Sequence, residues 1–446
     1  MNDMATLLSD VDGEVLVPGD DGYDTVGTGF QLRDPHRPDA VVRATCPADV
    51  QAAVRVAAER RLPVAVQATG HGRAAGLDGG LLVATGRMDT VRVDPDRRYA
   101  EVAAGATWQQ VVDATTPYGL APLSGSFPKL GAVPYTLGGG IGLLSRRYGF
   151  AADHVRAVQV VTPDGRLRHV DPDTEPDLYW GLRGGGGNLG IATSMRIGLL
   201  PVDRIHGGAL SFDAERDPHV AAGWWRWTRD LPEGMTSAYG MVPYPDLPMF
   251  PPELRGRVIS RVQVCWSGPA DEFASLVAPL RRLGTCLADT LRELPYRESG
   301  SVFAEPDRAH PYRSSVVLLP DLDEAGLADL HTATVATRST VVGIRHLGGA
   351  MGRPAAVPNA VGHRDAGYLV SVLSAGESVT SAELTGLLGG WPARSLGRSL
   401  NFSFGPLTPD QVREGFDPAD ARRLGELRAA YDPDGLLRPN HPVPTP

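Results

Sequence analysis

Gln67-Ala-Thr-Gly-His-Gly-Arg-Ala-Ala-Gly76 sets one histidine in a glycine-studded turn directly after an apolar run, Leu62-Pro-Val-Ala-Val66. This is the pattern of a buried strand that delivers a single imidazole to a place where a large ligand approaches the backbone. Glycines on both sides of His71 remove Cβ atoms and permit left-handed dihedrals, so peptide N–H groups can point at an anion. Taken alone, the turn reads equally as a strand-to-loop connection with a solvated histidine. Two further glycine-rich segments weigh against that plainer reading.

The second segment is Gly125-Ser-Phe-Pro-Lys-Leu-Gly-Ala-Val-Pro-Tyr-Thr-Leu-Gly-Gly-Gly-Ile-Gly142, followed by Ser145-Arg-Arg-Tyr-Gly149. Three consecutive glycines fit a loop whose N–H groups hold a pyrophosphate; close packing is the alternative. The third is Tyr179-Trp-Gly-Leu-Arg-Gly-Gly-Gly-Gly-Asn-Leu-Gly-Ile191. Gly185, Gly187 and Gly190 satisfy the spacing of a dinucleotide turn. The context does not match, because Pro176–Arg183 reads as helix and a strand (Ala192–Leu199) follows. A nicotinamide-binding domain is disfavoured, and no glycine-lysine-Ser/Thr triplet offers a Walker-type loop.

The bulk properties narrow the function classes. The 446 residues allow two or three domains, and 42% hydrophobic content is ordinary for a globular chain. A net charge of −9 without a basic run argues against nucleic-acid or anionic-membrane partners. Lys129 is the only lysine, which leaves Schiff-base chemistry improbable. Cys46, Cys265 and Cys286 lie too far apart in sequence for a disulfide framework or a zinc pattern, so no metal is expected. Neither a secretory signal nor an apolar run of membrane-spanning length is evident, and a cytoplasmic location is expected.

Along the chain, short β-like runs alternate with helical stretches. Strands are expected at Ala40–Thr45, Val64–Gln67, Gly80–Thr85, Val91–Asp94, Ala100–Ala103, Val155–Thr162 and Leu167–Val170. Helices are expected from Pro47 to about Arg61 and over Thr107–Tyr118, the latter with Thr107 as N-cap. After Pro201 the pattern changes to strands such as Val258–Trp266 and Ser314–Leu319 between helices His219–Arg229, Ala270–Gly284 and Glu324–Ala333. That order suggests a sheet with helices on one face, and Asp417–Ala430 then adds a helix near the end. The class is α+β.

The four motifs taken in order resemble a known family. They are the histidine turn, the Gly-Gly-Gly loop with Arg-Arg-Tyr-Gly, the Asp177-Leu-Tyr-Trp…Arg-Gly-Gly-Gly-Gly-Asn188 run and the terminal Tyr431-Asp-Pro-Asp…Arg-Pro-Asn440. Together they look like the berberine-bridge-enzyme-like flavoproteins of the vanillyl-alcohol-oxidase, or PCMH, type of FAD fold. The resemblance implies a two-subdomain FAD-binding domain over 1–205, a substrate domain with a mainly antiparallel sheet over 206–394, and a segment over 395–446 that returns to the FAD domain. His71 would carry the flavin through its 8α-methyl, a role suited to a neutral, nucleophilic imidazole. Thr69, Gly70 and Gly72 would line the pyrophosphate turn. Ser126, Leu130, Gly131, Tyr135, Gly138, Gly139, Gly140 and Gly142 would supply further cofactor contacts. Gly190 and Ile191 would support the adenosine half, and Asn401 and Asn440 would close over the flavin.

Three positions depart from the family pattern. Phe127 stands where many members carry a second, cysteinyl attachment, so one covalent bond is expected. Leu130 occupies the position associated with oxygen access, and a bulky residue there resembles members that react poorly with dioxygen. Ser399 replaces a tyrosine that serves as general base in many members, and a serine hydroxyl is too weak a base to substitute. Tyr135, His363 and Tyr368 are then the catalytic candidates, the last two from Val361-Gly-His-Arg-Asp-Ala-Gly-Tyr368, which looks like a family strand facing the flavin. His346 is a weaker one.

The implied activity is oxidation of a small-molecule alcohol, hemiacetal or activated C–H by hydride transfer to flavin N5, in secondary metabolism. Dioxygen or another acceptor would take the electrons, and the protein would be a monomer or homodimer. Two alternatives keep the fold: a non-redox cyclisation or isomerisation, or a binding protein with a degenerate site.

Overall fold

A computed structural model describes residues 4–376 and 379–446. Its chain builds three sheets in succession. The first is four-stranded, in the order Glu14–Leu16, Ala40–Arg43, Leu81–Ala84, Val64–Gln67, with its last three strands mutually parallel. The helix Pro47–Arg60 makes the crossover and buries Val50, Ala53, Val54 and Ala57 against that sheet. Its first turn is held by Asp49, whose carboxylate accepts from the backbone N–H groups of Asp12, Thr45 and Cys46.

The second sheet is antiparallel and five-stranded: Val91–Asp94, Tyr99–Ala103, Ile191–Gly198, Val155–Val161, Leu167–Val170. The helix Trp108–Thr115 packs on it through Trp108, Val111 and Val112, and Thr107 caps that helix as its sequence predicts. The long central strand carries no turn of helix after Gly190, in keeping with the reading that this is not a nicotinamide fold.

The third sheet is eight-stranded and antiparallel throughout, and it spans residues 204–374. Its two faces differ by the period-two rule of a strand. Phe212, Tyr239, Val264, Ile344 and Val370 face the helices Val220–Thr228, Ala270–Val277, Glu324–Thr337 and Ser381–Leu387, forming one core. The residues between them, among them Val316, Leu318 and Leu369, face the other way and meet Phe150 of the glycine-rich half. Helices on one face leave the other face free to build a site against the first two sheets.

The C-terminal stretch closes the molecule back on its beginning. Val64 bridges Leu437, Asn440 bonds the histidine turn, and Asn188 bonds His441 and Val443. Among the described residues, no helix is long and apolar enough to cross a membrane.

Candidate functional site

The turn after Val64–Gln67 is held by side chains rather than by secondary structure. Gly70 and Gly72 adopt φ of 75° and 67°, and a Cβ on Gly70 would lie 2.8 Å from the Gly29 Cα. Only glycine fits that approach. Arg73 lies beneath the turn and donates to the carbonyls of Thr28, Gln31, Arg33 and Asp34 and to Gln67 Oε1. Asn440 spans it from the other side, donating to Gly72 O and accepting from Ala74 N at 2.6 Å. The Gly72 N–H donates to the Tyr312 hydroxyl at 2.8 Å.

So held, His71 is partly buried. Its ring stacks on Phe30 with centroids 3.7 Å apart, and Phe127 lies 5.1 Å away on the same patch. Nδ1 is 2.8 Å from Thr69 Oγ1, whereas Nε2 is buried with no hydrogen-bond partner among the described residues. Burial, reinforced by His310, lowers the pKa of His71 to about 3, so the ring is neutral at physiological pH. A buried imidazole nitrogen with nothing to bond costs free energy unless something completes it. An isoalloxazine methyl carbon at that nitrogen fits the chemistry of the donor, so the residues present suit an FAD.

The second glycine segment lies alongside. A Cβ on Gly131 would be 3.3 Å from that of Ala68, beside the histidine turn. Gly139 and Gly140 have φ of 102° and 79°, and a Cβ on Gly140 would lie 2.5 Å from Tyr135 Cε1 and 2.8 Å from Ala151 Cβ. Asn401 packs on Gly138 and donates to the Tyr135 carbonyl at 2.9 Å. Leu130 is partly buried against the core of the second sheet. Gly190 and Ile191 lie apart from this group, at the start of a central strand, where Ile191 joins the core beneath the first sheet. The Ser145–Tyr148 helix reaches across to the third sheet: Arg146 bonds the carbonyls of Leu231, Met235 and Leu347 and the His346 ring.

The three catalytic candidates are each packed against neighbouring residues. Tyr135 is buried edge-on against Trp108, and burial pushes its phenol pKa well above the ordinary value, opposite to what a base needs. Residues 361–367 form no strand. His363 turns back with φ of 54°, bonds the Glu414 carbonyl at 2.9 Å and lies 3.6 Å from Asp417. Tyr368 opens the strand Tyr368–Ser374 on its helix-covered face, where it bonds Thr228 and stacks on His346. His346 shares that face, and Arg146 already engages its Nε2.

The groups on the opposite face went unread. Arg345 stands one residue from His346 and so points the other way. Its guanidinium lies 4.7 Å and 5.0 Å from the rings of Phe303 and Phe402, bonds Ser126 Oγ at 3.2 Å and sits 3.9 Å from Glu305. Ser126, on the cofactor segment, donates to Glu305 Oε1 at 2.5 Å. No local motif marks Arg345 or Glu305. Strand alternation over Thr340–His346 was the signal available for Arg345.

Comparison with known proteins agrees with the geometry. The FAD binding domain family matches residues 38–171. (R)-6-hydroxynicotine oxidase of Paenarthrobacter nicotinovorans is 32% identical over 204 residues, which span 45% of this chain and 44% of that enzyme. The FAD-linked oxidoreductase YgaK of Bacillus subtilis is 26% identical over 97% of both chains. In fold, glucooligosaccharide oxidase from Acremonium strictum, which carries a 6-S-cysteinyl, 8α-N1-histidyl FAD, superposes with a TM-score of 0.85 at 19% identity, covering 99% of each chain. The chain therefore carries an FAD binding domain over residues 38–171, is similar in sequence to FAD-linked oxidoreductases, and shares its fold with FAD oxidases and berberine-bridge-enzyme-like proteins.

Proposed function

We propose that this protein oxidises a small molecule with an FAD attached at one point only, through His71. We assign residues 1–205 and 395–446 to the FAD unit and 206–394 to the substrate unit. The observation that carries the attachment is the His71 imidazole: partly buried, neutral, and with Nε2 lacking a partner among the described residues. Phe127 supports a single bond, because its ring, 5.1 Å from that of His71, stands where a second nucleophile would be needed.

When bound, the flavin supplies a two-electron hydride acceptor at N5 for an alcohol, a hemiacetal or an activated C–H. The protein does the rest. Arg73 and Asn440 fix the histidine turn, so the imidazole is placed before the cofactor arrives. Phe30, Phe127 and Phe404 keep water from the turn. Glu305 Oε2 accepts no hydrogen bond among the described residues, and we assign it to take the substrate proton, with Ser126 holding the other oxygen. That assignment fills the place left by Ser399 and the three packed candidates. Dioxygen or another acceptor would take the electrons in the end. The sugar and hydroxynicotine oxidases among the relatives support oxidation over a non-redox role.

Acid precipitation tests the attachment. Flavin should stay with the precipitated wild-type protein and appear entirely in the supernatant of His71→Ala. Acid-stable flavin in His71→Ala refutes the assignment.

A further inference from the structure

Arg73, Arg146, Arg183 and Arg345 lie between elements, and they spend their donors differently. Arg73, Arg146 and Arg183 each give most of their N–H groups to backbone carbonyls, so they are structural clamps. Arg345 does not. Its side chain is 18% exposed, and among the described residues its one hydrogen bond is to Ser126 Oγ, with the Glu305 carboxylate 3.9 Å off. A guanidinium has five N–H donors, and desolvating it without partners is costly.

A second group on the same sheet face is also unspent. The antiparallel register sets Gln263 opposite Ala238, and Ala238 opposite Arg345. Residues directly opposite share a face, so the three form a row across the sheet. Two strand spacings separate Gln263 from Arg345, roughly 10 Å. Gln263 is 7% exposed, and its Oε1 is buried with no partner among the described residues. Ala238 between them adds only a methyl group. The row thus offers a cationic fork at one end, an amide acceptor at the other and little bulk between.

We propose that this row is the specificity element of the substrate site and that the substrate is a small organic acid. Arg345 takes the carboxylate, with Phe303 and Phe402 stacked beside its guanidinium to hold the fork flat. Gln263 Oε1 accepts a hydroxyl or N–H from the same molecule. This rests on the oxidoreductase reading above and adds the substrate class to it. Glu305 limits the affinity, since a carboxylate on Arg345 lies beside a second negative charge.

Benzoate and benzyl alcohol serve as probes, titrated into flavin-loaded protein and followed by the flavin absorbance spectrum. Benzoate should bind at least tenfold more tightly than benzyl alcohol. Arg345→Met should erase that preference, Arg345→Lys should restore part of it, and Glu305→Gln, by removing the negative charge beside the bound carboxylate, should tighten benzoate severalfold. Equal binding of the two probes by wild type overturns the proposal. So does benzoate binding that Arg345→Met leaves intact, even if sulfite addition to the flavin changes, because Arg345 would then serve the cofactor. If Arg345→Met fails to load flavin, Glu305→Gln decides: unchanged or weaker benzoate binding overturns the proposal. Flavin content, read on the same samples, reports the cofactor assignment separately.

Discussion

The glycine-rich half and the cleft face of the third sheet treat their polar groups in opposite ways. Around His71, the clamping donors are matched within the chain: Arg73 bonds five oxygens, and Asn440 ties Gly72 to Ala74. Among the described residues of that turn, His71 Nε2 is left over. On the sheet face, Arg345 and Gln263 stand with most of their bonding capacity unused. In the proposed function the first region holds one cofactor at one atom. The second is built to be completed by something that comes and goes.

Changing the left-over atom has the largest effect. His71→Ala removes the sole proposed attachment and should take acid-stable flavin from complete to none. Breaking a matched clamp comes next. Arg146→Met would strip partners from the Leu231, Met235 and Leu347 carbonyls and from His346, at a cost of about 3–5 kcal/mol. Chemical denaturation should show that loss, with the third sheet loosening from the cofactor half. Gly140→Ala is smaller. Its Cβ would meet Tyr135 and Ala151 at a φ of 79°, costing about 2–3 kcal/mol and lowering the melting temperature.

The smallest effect is acid lability. Burial lowers the pKa of His346 to about 3 and of His441 to about 4, against about 6.5 in an unfolded chain. Below pH 6.5 the unfolded state binds more protons than the folded one. The stabilisation is therefore complete above that pH and is lost as the pH falls toward the folded values. Each residue should cost on the order of 1–2 kcal/mol at pH 5, and replacing both with glutamine should lessen the fall in thermal stability between pH 7 and 5.

The two regions also differed in how far they could be read. The glycine-rich loops are local: each is one continuous stretch of fewer than twenty residues, so the motifs were visible in the chain itself. Strand and helix positions followed from periodicity, and Val258–Trp266 and Leu167–Val170 agree to the residue. The substrate row is not local. Gln263, Ala238 and Arg345 come from three strands, and only register aligns them. The surroundings of Tyr368 and His363 were illegible for the same reason. Face and partner, set by strand parity and by a left-handed turn at His363, decide whether a titratable residue meets a ligand or a core.

The single histidyl attachment is best tested by mapping the flavin onto peptides. Trypsin cleaves after Arg61, Arg73, Arg98 and Lys129, separating Leu62–Arg73, which holds His71, from Tyr99–Lys129, which holds Phe127. Mass spectrometry of the yellow protein should find the flavin on Leu62–Arg73 and on no other peptide. Unmodified Leu62–Arg73 from fully loaded protein, or flavin on a different peptide, would contradict the account.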